Sequence, residues 1–167
     1  ILQINGAPVG RELGQYAYQQ DLEGSNLEGS QDDGSIMIIV ATDAPLNSKS
    51  LDRIAMRAMM GLARTGSYAS NGSGDYVIAF SANPSVRRPR ESMKPVETPS
   101  LVHASMSPLF AATAEATEEA IYNAIFKATT VTSVRGRREA IPIDDLVRIL
   151  KKYKVLDWDK LVRPDST

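Results

Sequence analysis

Three residues in this chain have neighbours that could make them reactive. Ser35 stands in "DDGSIMIIV", between Gly34 and a run of five apolar residues, Ile36 to Val40. Ser73 and Asp75 stand in "NGSGD", residues 71–75, just before a second apolar run from Tyr76 to Phe80. A serine hydroxyl at neutral pH needs a base before it can attack a carbonyl. The single histidine, His103, lies in a stretch flanked by Pro and Ser and reads as an ordinary surface or boundary residue. Cysteine is absent, so thiolate chemistry and disulfides are excluded. No cluster of His and carboxylates has ligand spacing, and neither a metal nor a cofactor is expected.

One base requires no side chain. A free α-amine has a pKa of about 7.7–8.0, so a useful fraction is neutral at physiological pH. Cleavage of the Gly34–Ser35 bond would give Ser35 a nucleophile and a base on one residue. Gly34 lets the backbone take a strained conformation there. The polar chain upstream could move away, and the apolar strand downstream would hold the new terminus. The plainer reading also fits: Gly-Ser at a loop-to-strand boundary is common, and Asp-Gly is a standard turn. "NGSGD" likewise reads as a tight turn feeding a strand. It lacks the Lys-Ser/Thr ending of a phosphate loop and precedes a strand, so phosphate binding is not favoured.

The elements that must position these residues follow from the pattern. Residues 1–4 alternate apolar and polar and read as the end of a strand, with a turn at Asn5-Gly6. Val9 to Leu13 reads as a short resumed strand. From Gly14 to Asp33 the chain is rich in Gly, Ser, Gln, Asn and acids and reads as a linker. Ile36–Val40 suits a strand buried on both faces. Asn47 or Ser48 can cap a helix whose stripe is Leu51, Ile54, Ala55, Ala58, Met59 and Leu62. Gly66 is its stop. Residues 83–100 hold four of the nine prolines and read as an exposed loop. Ser107 and Pro108 are expected to open a longer helix with inner face Leu109, Phe110, Thr113, Thr117, Ala120, Ile121, Ala124, Ile125 and Ala128. "RGRR", residues 135–138, reads as a basic turn, and Asp144 as the cap of a last short helix through Leu150. The order is strand, linker, strand, helix, strand, helix, helix, which implies a layered α/β arrangement.

Length and charge set outer bounds. At 167 residues the chain can bury one sizeable core. Its 19 basic and 20 acidic residues balance to a net charge of −1. Bulk electrostatics therefore excludes a strongly basic nucleic-acid binder. No apolar run approaches membrane-spanning length. The first residue is Ile1 and no signal peptide is visible, so the chain is expected to begin inside a domain. Compartment, cytoplasmic or periplasmic, is not specified.

Four stretches in order carry a specific resemblance: "DGSIMIIVATDAPL", "RAMMGLARTGS", "NGSGDYVIAFS" and "ATEEAIYNAIFKATTVT". Together they resemble the DmpA-type family of L-aminopeptidases/D-esterases and β-peptidyl aminopeptidases. The upstream "INGAPVGREL" is similar to the stretch near the end of that family's α-chain. The resemblance implies an αββα sandwich like that of N-terminal-nucleophile hydrolases, with different connectivity. It implies a precursor that cuts itself at Gly34–Ser35 into an α-chain, ending with residues 1–34, and a β-chain of residues 35–167. It maps the nucleophile to Ser35 and a supporting serine and carboxylate to Ser73 and Asp75. It implies hydrolysis of peptides, amino-acid amides or esters through an acyl-enzyme, without a cofactor, by a homo-oligomer of αβ units. Neither nucleic acid nor membrane enters as a partner. An asparagine that serves this family as oxyanion donor falls before Ile1 by this alignment. The rival readings are an acyltransferase of the ornithine acetyltransferase type, which would use threonine, and a non-catalytic relic of the fold.

Overall fold

The structure is a computed structural model and describes residues 1–15, 34–88, 97, 99–134 and 136–157. These fall into two compact units: residues 34–63 with 69–119, and residues 1–15 with 64–68 and 120–157. Most of the expected linker (from residue 16), much of the proline-rich loop and the chain end beyond 157 lie outside the described residues.

The first unit is built on two strands, β1 (Met37–Thr42) and β2 (Tyr76–Ser81). They are parallel neighbours in register, Met37 opposite Tyr76 through Thr42 opposite Ser81. A parallel pair needs a crossover. Helix α2 (Ser48–Arg64) supplies it. The Asn47 side chain caps that helix, its Oδ1 accepting the Ser50 N–H at 2.9 Å. Gly66, at φ +97°, ends the segment with a conformation that disfavours other residues. Ile54, Ala58, Gly61 and Leu62 form the buried stripe of α2. Helix α3 (Met106–Lys127) packs beside it, burying Met106, Thr113, Ala114 and Thr117. Leu46, Ile54 and Met106 are the centre of this core, with Val40 and Ala79 of the strands against them. Burial of Leu46, Ile54 and Met106 contributes about 1.5–3 kcal/mol each by leaving water.

β1 is not buried on both faces as expected. Val40 and Ala79 face the helices, whereas Met37, Ile39, Tyr76, Ile78 and Phe80 are exposed, Ile39 by 68%. In an αββα sandwich this outer face of a sheet is where a second sheet packs. The apolar run in β1 fits that demand, because a residue on either side of the sheet must then be apolar.

The second unit gathers the chain start around α4 (Ile143–Lys152). Ile4, Ala7 and Val9 share one core with Leu146, Ile149 and Leu150. Asn5 and Gly6, at φ 46° and 82°, form the expected turn, with Ile4 and Ala7 exchanging both backbone hydrogen bonds. The strand expected at Val9–Leu13 is instead helix α1 (Val9–Glu12). Val9 and Leu13 lie four apart, which fits one helical turn, and the Leu13 N–H donates to the Val9 carbonyl at 3.0 Å. The basic turn is largely strand: β3 (Val131–Ser133) pairs antiparallel with β4 (Gly136–Arg138). Three-residue strands carry too little alternation to be recognised.

Two helix starts also differ from expectation. α3 opens at Met106, directly after a 3-10 turn at His103–Ser105, so Ser107 and Pro108 lie inside its first turn. Pro142 occupies the N-cap of α4, and Asp144 sits in the first turn with Asp145, where both oppose the helix dipole's positive end. Ala120, Ala124 and Ala128, placed on the inner face by spacing, are exposed.

Candidate active site

β1 and β2 run parallel with matching register, so the residues just before each strand meet at one edge of the sheet. The Tyr76 N–H donates to the Ile36 carbonyl at 2.9 Å and extends the pairing backwards toward Ser35. Continuing the register places Ser35 across from Gly74 and Gly34 across from Ser73.

The structure brings all three sequence-derived residues and Gly34 together. The Ser73 hydroxyl lies 2.7 Å from the Gly34 carbonyl oxygen and 2.7 Å from Asp75 Oδ1. It holds one proton, so it donates to one of these acceptors at a time. The Gly74 N–H donates to Ser35 Oγ at 3.1 Å. Asp75 Oδ2 is buried and has no hydrogen-bond partner among the described residues. A buried carboxylate oxygen without a partner costs free energy until a donor or cation fills it.

Gly74 is the residue that side-chain reading missed. Its contribution is a backbone amide, which no residue type advertises. A Cβ at this position would lie 3.3 Å from Ser35 Oγ, tighter than most such contacts, and 3.4 Å from the Tyr76 ring, at the edge of ordinary contact. Close approach of the turn to Ser35 is the physical reason for glycine there. The turn itself is closed by Ser73 N–H donating to the Ser70 carbonyl at 2.9 Å.

His103 is exposed, with Nδ1 3.0 Å from Arg53 Nη1. It belongs to a surface group in which Arg53 and Arg57 lie over the Phe110 ring, 4.9 and 4.1 Å from its centroid. Among the described residues, no group of three His, Asp or Glu side chains could hold a metal ion. None of their helices is long and apolar enough to cross a membrane.

A hydroxyl at the head of a parallel strand, hydrogen-bonded turn beside it, helices on one face: this is the layered α/β class, in the variant of the N-terminal-nucleophile hydrolase fold. The chain belongs to peptidase family S58, whose model matches residues 1–139. A β-peptidyl aminopeptidase, BapA, from Sphingosinicella microcystinivorans is 41% identical over 162 residues, which are 93% of this chain and 40% of the relative. The PH0078 protein of Pyrococcus horikoshii OT3 is 42% identical, with a TM-score of 0.75 over 92% of this chain and 39% of that one. The L-aminopeptidase D-Ala-esterase/amidase of Ochrobactrum anthropi, described as a prototype of the serine aminopeptidases, is 30% identical, with a TM-score of 0.75 over 92% of this chain and 40% of that one. The chain thus spans about two fifths of the length of these relatives.

Proposed function

We propose that the chain carries the nucleophile of a self-processing serine aminopeptidase, which cuts itself between Gly34 and Ser35 and then removes N-terminal residues from peptides, amides or esters. The observation that carries this reading is the pair of contacts across that bond. Ser73 donates toward the Gly34 oxygen at 2.7 Å while the Gly74 amide holds Ser35 Oγ at 3.1 Å. Electrophile and nucleophile are each held by a separate donor.

In the first stage Ser35 Oγ attacks the Gly34 carbonyl carbon. Ser73 stabilises the negative charge that develops on the Gly34 oxygen. The bond to the Ser35 nitrogen breaks, the nitrogen takes the proton from Oγ, and Gly34 remains as an ester on Ser35. Water cleaves the ester, leaving a Gly34 carboxylate and a free Ser35 amine.

That amine is the base of the second stage. It takes the Oγ proton as Ser35 attacks the carbonyl of a substrate's first residue, then delivers it to the leaving group. Positioned proton transfer of this kind contributes about 10²–10⁴-fold. With the Gly34 oxygen gone, the Ser73 proton turns to Asp75. The unpartnered Asp75 Oδ2 supports the reading, because cleavage creates an amine at Ser35 whose N–H can donate to a buried carboxylate oxygen. The α-chain is proposed to complete the site, and αβ units to assemble as a homo-oligomer. The relatives' names span β-peptides, L-amino-acid derivatives and D-alanyl esters. The proposed substrates are therefore peptides, amides and esters with small L-, D- or β-residues at the N-terminus.

The mass of the purified full-length protein tests the first stage. Two fragments are expected, the second beginning "SIMIIV", and Ser35→Ala should give one uncut, inactive chain. Normal processing in that variant would overturn the assignment.

A further inference from the structure

The chain contains two Asn-Gly pairs, Asn5-Gly6 and Asn71-Gly72. We propose that Asn71-Gly72 is a site of spontaneous covalent modification. Asn71 loses its side-chain amide through a cyclic imide and becomes aspartate or isoaspartate, inside the turn that carries Ser73.

The reaction needs an accessible amide, a following residue that does not block the approach, and a free backbone nitrogen. Asn71 and Gly72 are both exposed. Glycine has no side chain to hinder attack. Among the described residues, neither Asn71 nor the Gly72 amide has a hydrogen-bond partner. The Gly72 nitrogen, after losing its proton to base, attacks the Asn71 side-chain carbonyl carbon. The bond to Nδ2 breaks and ammonia leaves, closing a five-membered imide. Water then opens either carbonyl of the ring. One opening gives aspartate. The other routes the backbone through the former side chain and lengthens it by one carbon. No oxidant, metal or enzyme is needed.

Asn5-Gly6 is an internal comparison with the same residues and similar exposure. Its turn is closed by two hydrogen bonds, Ile4 N–H to the Ala7 carbonyl at 3.0 Å and Ala7 N–H to the Ile4 carbonyl at 2.8 Å. Both flanking residues are buried, Ile4 at 6% exposure and Ala7 at 0%. Attack requires the turn to open, and here opening disturbs a core. The turn around Asn71 carries the Ser73 N–H bond to the Ser70 carbonyl, and Ser70 and Ser73 are only half-buried. Local opening takes less free energy where fewer buried contacts are lost.

The consequence rests on the proposed function. Modification at Asn71 places a new carboxylate two residues from Ser73. In the isoaspartate form it also shifts the turn that aligns Ser73 and the Gly74 amide with Ser35.

The test is to hold full-length protein in mildly alkaline buffer and map its peptides over time. Ammonia release and labelling by an isoaspartyl methyltransferase report the same event chemically. Asn71 is expected to convert severalfold faster than Asn5. Asn71→Gln should abolish conversion there, and Gly72→Ala should slow it severalfold. Equal rates at the two asparagines, or conversion at Asn5 alone, would overturn the proposal. Turnover is followed in the same samples and should fall with the modified fraction, but not in Asn71→Gln. Conversion at Asn71 with undiminished turnover would leave the modification site standing and count against the role given to Ser73.

Discussion

Ser73→Ala separates a catalytic hydroxyl from a turn hydroxyl. In the uncut chain the substitution removes the donor 2.7 Å from the Gly34 oxygen. A donor aimed at a developing oxyanion is worth about 10²–10³ in rate, or about 2.7–4 kcal/mol of barrier. The substitution also removes the partner of Asp75 Oδ1, leaving both oxygens of that half-buried carboxylate without one among the described residues. That loss costs about 1–3 kcal/mol of stability. The two effects have separate readouts. Self-cleavage of freshly purified full-length protein is followed by intact mass, and melting is recorded in parallel. Cleavage should slow by about 10²-fold or more. In whatever mature enzyme forms, turnover should fall about tenfold or more, a barrier increase of at least about 1.4 kcal/mol. Ser73→Thr, which restores a hydroxyl, should recover much of the cleavage. If Ser73→Ala melts lower but cleaves at the parental rate, the hydroxyl only holds the turn and the argument fails.

Three further outcomes follow from other parts of the molecule. Asp75→Asn should lower turnover about tenfold or more in folded protein, about 1.4 kcal/mol or more of barrier; parental kinetics would remove Asp75 from the proton path. Gly61→Ala gains about 0.8–1 kcal/mol of helix propensity. Its Cβ, however, would meet the Ala114 carbonyl and sit 2.7 Å from Thr117 Cβ. Overpacking costs about 1–3 kcal/mol and a backbone carbonyl cannot rotate away, so a net loss of up to about 2 kcal/mol is expected in denaturant titration, and a higher midpoint would contradict it. Glu12 accepts hydrogen bonds from Lys152 at 2.8 and 2.9 Å and from the Tyr153 hydroxyl at 2.7 Å. These bonds hold the Glu12 carboxyl below its usual range and push Lys152 and Tyr153 above theirs. The Glu12 contribution is present above the carboxyl's unfolded pKa and lost as pH falls through the folded one. The Lys152 and Tyr153 contributions are present below their unfolded values and lost as pH rises through the folded ones. The stability difference between parent and Glu12→Gln should therefore be largest near neutral pH and shrink in acid and in strong alkali. A difference independent of pH would show that the cluster is not ionic.

The parts of the fold legible in the sequence are those whose signals repeat. The stripe Leu51, Ile54, Ala58, Leu62 recurs four times, and α2 lies where it predicts. Two apolar runs of strand length with a helix between them imply a parallel pair, and β1 and β2 are one. Short elements without repetition are ambiguous in the sequence. Val9–Leu13 offers a single spacing that both a strand and a helical turn satisfy, and burial against α4 decides for the helix. β3 and β4 are too short to show alternation and were absorbed into a basic turn. The outer face of β1 and β2 shows the opposite limit. Met37 and Ile39 read as buried because the unbroken apolar run from Ile36 to Val40 has no polar alternation to mark an exposed face, yet both are exposed, as are Tyr76, Ile78 and Phe80 of the paired strand.

The placement of the candidate site residues was legible for a different reason. Side-chain types alone left Ser35 between a strand's first residue and a nucleophile, and left "NGSGD" as a turn. The family resemblance joined them, and the parallel pairing supplies the physical reason: neighbouring parallel strands start at the same edge, so residues just before β1 and β2 come together. The contacts among Gly34, Ser35, Ser73, Gly74 and Asp75 follow from that placement. Topology could not reveal how few protons serve them. Ser73 has one proton and two acceptors at equal distance. The same hydroxyl can therefore serve two stages in turn, first toward Gly34 while the peptide bond stands, then toward Asp75 once Gly34 has gone. An uncut chain that already showed full turnover would break this ordering, because the proton would then have no reason to move.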